Sequence, residues 1–231
     1  MTSTFESLKD LANKYKMTES RLKTIIESNK IAHKKEGGVI SVNLRVFDRW
    51  MAANIKNLAS EKLKKIEKDE HDQFLCIHPL IEKTRVLINP PASTKIQIIT
   101  RLVEQLAESK GTAQKNIKPI LKAVIERERL CSTAIMDGVA IPHPRSSMEE
   151  YVKEPLLVVG ISKKGVHFES DDGKPTNLFF LICANSIDIH LKVMARLSRL
   201  LRSPKFRYEL TIAPDVDTVK EVFEKWEKKL K

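Results

Sequence analysis

The residue best placed to do chemistry is His143, in the run Gly138-Val139-Ala140-Ile141-Pro142-His143-Pro144-Arg145. Proline fixes φ and pushes the residue before it toward extended geometry. The imidazole is therefore presented at a stiff strand exit. Much of an imidazole is unprotonated at neutral pH, so it is a usable nucleophile there. Rigid presentation lowers the orientational cost of attack. Upstream, Glu126-Arg127-Glu128-Arg129-Leu130-Cys131-Ser132-Thr133 supplies a guanidinium, Arg127, and two hydroxyls, Ser132 and Thr133. Downstream, Ile187-Asp188-Ile189-His190-Leu191 opens an amphipathic pattern. His190 falls in the first turn, where free backbone N–H groups favour an anion. One nucleophile ringed by fixed donors is the inventory that phosphoryl transfer needs, because its charge spreads over three equatorial oxygens.

Competing chemistries find little support. His33, His71, His78 and His167 are scattered without metal-ligand spacing, so no metal site is expected. Cys76, Cys131 and Cys183 form no CxxC pair and read as small hydrophobes. No phosphate-cradling glycine loop and no GxSxG occurs, and no cofactor is expected. Gly37-Gly38 reads as a hairpin turn. At 42% hydrophobic and 31% charged residues, the 231-residue chain reads as globular. No 18-residue apolar run is present, and Met1 to Lys9 has no apolar stretch. The expectation is a cytoplasmic protein without membrane insertion. The net charge of +11 favours anionic partners.

The elements that must position these groups follow from periodicity. Leu8, Leu11, Ala12 and Tyr15 share a helical face, and Thr18 caps a second helix carrying Leu22, Ile25 and Ile26. A hairpin comes next, around Gly37-Gly38. Asn43 then caps a third helix with Leu44, Phe47, Trp50 and Met51 inward. The stretch 56–72 is mostly charged and reads as a solvated helical linker. Beyond it, Ser93 caps a helix that stops near Gly111, and Ile117, Ile120, Leu121 and Val124 mark another. The runs 156–161 and 178–184 are dense, apolar and of strand length, hence central strands buried on both faces. Two more helices span about 188–201 and 218–230. Strands interleaved with helices predict an α/β layered domain.

Five of these segments together resemble the IIA component, fructose/mannitol type, of the bacterial phosphoenolpyruvate-dependent phosphotransferase system, including its nitrogen-regulatory branch. They are Glu126-Arg127-Glu128 with Ser132-Thr133; Gly138 to His143; Val166-His167-Phe168 with Asp172-Gly173-Lys174-Pro175; His190 to Leu197; and Ser203-Pro204-Lys205-Phe206-Arg207. The resemblance implies a mixed sheet flanked by helices, and that His143 is phosphorylated, through Nε2, by the phosphocarrier HPr. It implies that Arg127 and His190 hold the phosphoryl oxygens, with Ser132 and Thr133 as nearby polar support. The chain departs at Pro144, where the family more often has a small residue; this bears on the partner's approach.

The first 55 residues have a likeness of their own. Ser7 to Ala12, Thr18 to Lys23, and Asp48-Arg49-Trp50-Met51 are similar to the excisionase-type (MerR-like) winged helix-turn-helix. That likeness implies a major-groove helix, Glu19–Ser28, exposing Ser20, Arg21, Lys23 and Thr24, with Lys34 and Lys35 meeting phosphates. The strand after Gly38 lacks the arginines usual in that family, so protein docking stands beside DNA binding as the alternative.

The organisation expected is a helix-turn-helix over 1–55, a charged linker over 56–72 and a IIA type 2 domain over 73–231. The function expected is a phosphohistidine carrier coupled to regulation, not an independent turnover enzyme. HPr is the expected donor; a IIB protein, a regulatory target protein or DNA lies downstream. Two alternatives stand: a sugar-transport IIA component with an inert appendage, and a DNA-binding protein using the IIA-like unit only as a sensor.

Overall fold

The computed structural model describes residues 5–15, 18–28, 30–43, 46–47, 64, 76–135 and 137–230. Of the expected linker only Lys64 is described, and Leu44, Trp50 and Met51 of the expected third helix lie outside the described residues.

The N-terminal elements are β1 (Phe5–Ser7), α1 (Leu8–Tyr15), α2 (Glu19–Ser28), β2 (His33–Glu36) and β3 (Val39–Asn43). The hairpin turns where expected. Glu36 pairs with Val39 across Gly37 (φ 56°) and Gly38 (φ 82°), and a two-residue turn with both φ positive admits glycine at little cost. Strand β1 was not expected; it pairs antiparallel with β3, Phe5 opposite Asn43, giving the order β1-β3-β2. Three residues are too few to show a period. Leu8, Leu11, Leu22, Ile26, Ile31, Val42 and Phe47 close a small core. Asn43 Oδ1 accepts the Val46 N–H at 3.3 Å, in keeping with the expected cap.

The larger part contains β4 (Val86–Ile88), α3 (Lys95–Glu108), α4 (Ile117–Glu128), β5 (Ala134–Ile135), β6 (Val139–Ala140), β7 (Leu156–Val166), β8 (Thr176–Cys183), α5 (Ile187–Leu201), α6 (Pro204–Thr211) and α7 (Val216–Lys229). The sheet is mixed, in the order β4-β7-β8-β6-β5. The long central pair β7/β8 is antiparallel, while β4 joins β7 and β6 joins β8 in parallel. Both faces are covered, as the dense apolar runs predict. Val159, Phe180 and Ile182 pack with Val193, Leu197, Phe206 and Phe223. The alternate residues Val158, Phe179 and Leu181 pack with Ile98, Leu102, Ile120 and Val124. The strand period of two thus divides one sequence between two cores.

Local details correct several expectations. Helix α3 is capped by Thr94, not Ser93: Thr94 Oγ1 accepts the Gln97 N–H, and the Gln97 side chain accepts back from the N–H groups of Thr94 and Ser93. That reciprocal arrangement satisfies two orphan donors. Strand β7 runs on to Val166 through an irregularity after Ile161. Helix α6, capped by Ser203 with Pro204 in its first turn, was not expected.

Candidate functional site

Strands β6 and β8 are parallel, so their C-terminal ends leave the sheet at the same edge, where open α/β sheets place ligands. One exit carries His143 and the other leads into α5 and His190. The ladder continues past β6: the Ile141 N–H donates to Thr133 O at 3.2 Å and the Ile182 N–H to Pro142 O at 3.1 Å. The proline-braced corner is therefore hydrogen-bonded on both sides.

Within that corner the imidazole is oriented by its own chain. His143 Nδ1 lies 2.7 Å from Ile141 O. A carbonyl can only accept, so Nδ1 carries the proton and Nε2 holds the lone pair. Arg127 Nε donates to that Nε2 at 3.3 Å. Arg127 reaches it from the last turn of α4, buried to 2% exposure, with Nη1 anchored on Cys131 O at 2.9 Å. Its Nη2 is buried without a hydrogen-bond partner among the described residues. His190 stands beside His143, ring centroids 5.2 Å apart and tilted by 45°. Burial, then the Arg127 cation and His190, push His143 well below its usual range; the Ile141 carbonyl opposes this. Burial, reinforced by Arg127, takes His190 down to about 4. Both rings are neutral at physiological pH.

Arg127, His143 and His190 are thus brought together. Ser132 and Thr133 have other partners. Ser132 Oγ donates to Phe168 O at 2.6 Å, and Thr133 Oγ1 donates to Glu128 Oε2 at 2.6 Å. Their hydroxyl protons are thus engaged in fixing the loop after α4. Two amides at the start of α5 are also taken: Ser186 Oγ accepts the Ile189 N–H and Ser186 O the His190 N–H. What His190 offers is its ring. Sequence reasoning missed Glu128, whose buried carboxylate also accepts the Thr133 N–H at 3.0 Å and sits 3.5 Å from Lys95 Nζ. Its position next to Arg127 was the available signal.

The residues read as a DNA surface lie on the N-terminal elements. Ser20, Lys23 and Thr24 are exposed on α2, and Lys34 and Lys35 on β2. The Arg21 side chain lies outside the described residues. Thr24 Oγ1 donates to Ser20 O at 2.9 Å, and Lys34 Nζ stands 4.5 Å from the centre of the Phe5 ring. His78 is less isolated than its sequence position indicated: with Cys76 and Glu227 it forms a group whose ligand atoms lie within 4.8 Å. The Glu227 carboxylate there already accepts from Ile77 N–H, His78 N–H, His78 Nδ1 and Arg196 Nε, so it works as a structural clamp. Among the described residues no helix is long and apolar enough to cross a membrane.

The family described as "Phosphoenolpyruvate-dependent sugar phosphotransferase system, EIIA 2" matches residues 79–226, more than half of the chain. The chain belongs to this family, and its larger part is a IIA-like phosphoryl carrier. The "PTS system fructose-specific EIIABC component" of Bacillus subtilis is 31% identical over 154 residues, covering 66% of this chain but only 24% of that protein. A "Nitrogen regulatory protein" of Bradyrhizobium diazoefficiens is 30% identical over 145 residues, 62% of this chain and 91% of its own. The crystal structure of nitrogen regulatory protein IIA-Ntr from Neisseria meningitidis superposes with a TM-score of 0.56 at 21% identity, covering 64% of this chain and 98% of that one. The last likeness speaks for the fold.

Proposed function

We propose that this protein accepts a phosphoryl group on Nε2 of His143 from phosphorylated HPr and uses the charged state as a regulatory signal. The carrying observation is the Nδ1–H bond to Ile141 O, which keeps Nε2 unprotonated; its lone pair attacks once the long 3.3 Å bond that it accepts from Arg127 Nε gives way. In the transfer, that lone pair forms the new N–P bond. The N–P bond of the donor phosphohistidine breaks in line, and its electron pair returns to the donor ring. Arg127, with its unused Nη2, and the His190 ring stabilise the equatorial oxygens. The division into 1–55, 56–72 and 73–231 belongs to this reading, with the first part an excisionase-type winged helix-turn-helix that binds DNA through Ser20, Arg21, Lys23, Thr24, Lys34 and Lys35.

The experiment is incubation with enzyme I, HPr and radiolabelled phosphoenolpyruvate. His143 is expected to take up label, and His143→Ala none; label retained by that variant ends the assignment. For the N-terminal part, binding to a specific operator over random DNA should weaken with a log–log salt slope set by the phosphates contacted. Equal affinity for both removes the transcriptional role. A second reading is favoured by the likeness to the fructose EIIABC protein. In it the chain passes the group to a separate IIB protein, and label arriving on IIB and then on sugar decides for it.

A further inference from the structure

Leu191 directly follows His190 on α5, yet its side chain is buried to 5% in the apolar cluster of the N-terminal elements, with Leu8, Leu11, Ala12, Leu22 and Ile26. The N-terminal part is therefore seated against the first turns of the helix that carries His190. A protein donor needs far more room than the ring it phosphorylates. A specific interface covers roughly 800 Å² on each partner, a disc of about 16 Å radius. A donor protein must centre that disc near His143 Nε2 to bring its phosphorus into range. The His190 ring is 5.2 Å from that of His143. The Cα of Leu191 is about 3.8 Å from that of His190. The Leu191 backbone is thus within about 16 Å of the ring, so a part seated on Leu191 borders the approach of a donor of that size.

We infer that the first turns of α5 are a docking surface with two mutually exclusive occupants, the chain's own N-terminal part and the protein that delivers the phosphoryl group. The inference rests on the carrier reading and adds the regulation of that site. The N-terminal part lowers the rate at which a protein donor reaches His143. It leaves a small donor unhindered, because such a donor needs only the opening at the ring. Donor docking in turn displaces the N-terminal elements from Leu191, which gives the relay a mechanical output at the N-terminal part.

The test compares the full chain with its Leu11→Glu variant, changed on the N-terminal side of the seat and not on α5, using phosphorylated HPr and phosphoramidate as donors; phosphoramidate transfers the group with loss of ammonia. Labelling of L11E by HPr is expected to be about tenfold faster than that of the natural chain, since the substitution removes a buried leucine's share of the seat. The two chains should react equally with phosphoramidate. Equal rates with HPr overturn the competition and leave the carrier reading intact. No label from HPr in either chain, with phosphoramidate still labelling His143, overturns the carrier reading and the competition with it. A second measurement needs no variant: added HPr should speed amide hydrogen exchange over Leu8–Tyr15 of the natural chain. Unchanged exchange under saturating HPr also sinks the proposal.

Discussion

A histidine that attacks phosphorus has to be neutral and has to present the right nitrogen. His143 meets both conditions through neighbours within its own strand exit and on α4. The same burial has a thermodynamic sign. His190 titrates at about 4 in the folded protein, against about 6.5 when unfolded. Between those values the unfolded chain binds more protons, so stability rises with pH across that window. It is complete above about 6.5 and lost as the pH falls toward 4, by on the order of 3 kcal/mol from this ring. Thermal melts at about pH 4.5 and 7.5 should show that loss, and His190→Gln should flatten the difference; an unaltered difference would place the titrating group elsewhere. The sequence made His143 legible because two prolines stiffen its flanks. Its reactive nitrogen came only from the family likeness, because the tautomer depends on where the Ile141 carbonyl ends up. The partners of Ser132 and Thr133, Phe168 O and Glu128, were illegible for a similar reason: they are reached only in the folded chain.

At the level of elements, the parallel pairing of β6 with β8 gathers residues from three segments at one edge. The loop after α4 completes the arrangement, and Glu128 holds it. Replacing Glu128 by Ala strands the amide and hydroxyl of Thr133, two donors inside the protein. The expected cost is about 2–4 kcal/mol in a denaturant titration. Label uptake should fall as well, because the Cys131 carbonyl that anchors Arg127 belongs to the same loop. Glu128→Gln, which keeps one acceptor, should fall between; full activity in Glu128→Ala would make the loop self-supporting. The long elements were readable from periodicity, as β7, β8, α3, α4, α5 and α7 illustrate. Strands β1, β4 and β5, of two or three residues, were not. They are strands by virtue of their partners, and α6 is too short and polar to stand out.

For the whole molecule, the longest reach belongs to Glu227. From α7 it holds the backbone of Ile77 at 2.9 Å and Arg196 Nε of α5 at 3.0 Å, tying the start of the larger part to its last helix. Glu227→Ala removes the carboxylate that holds the buried Arg196 cation, which costs about 3–5 kcal/mol. Trp226, its neighbour, donates to Glu209 at 2.8 Å, so its emission should report the earlier unfolding in the same titration. A midpoint unchanged from the natural chain would show the clamp to be dispensable. No local pattern announces a contact across 150 residues, which is why this tie was illegible in the sequence. The paired neutral rings have one more result. With both imidazoles uncharged, Arg127 is the cation set directly against them. Loading a phosphoryl group lowers the charge of that corner by about 2. A change of that size is felt over about 8 Å in physiological salt, so a neighbouring surface can read the loaded state through the field alone, with every backbone atom left in place.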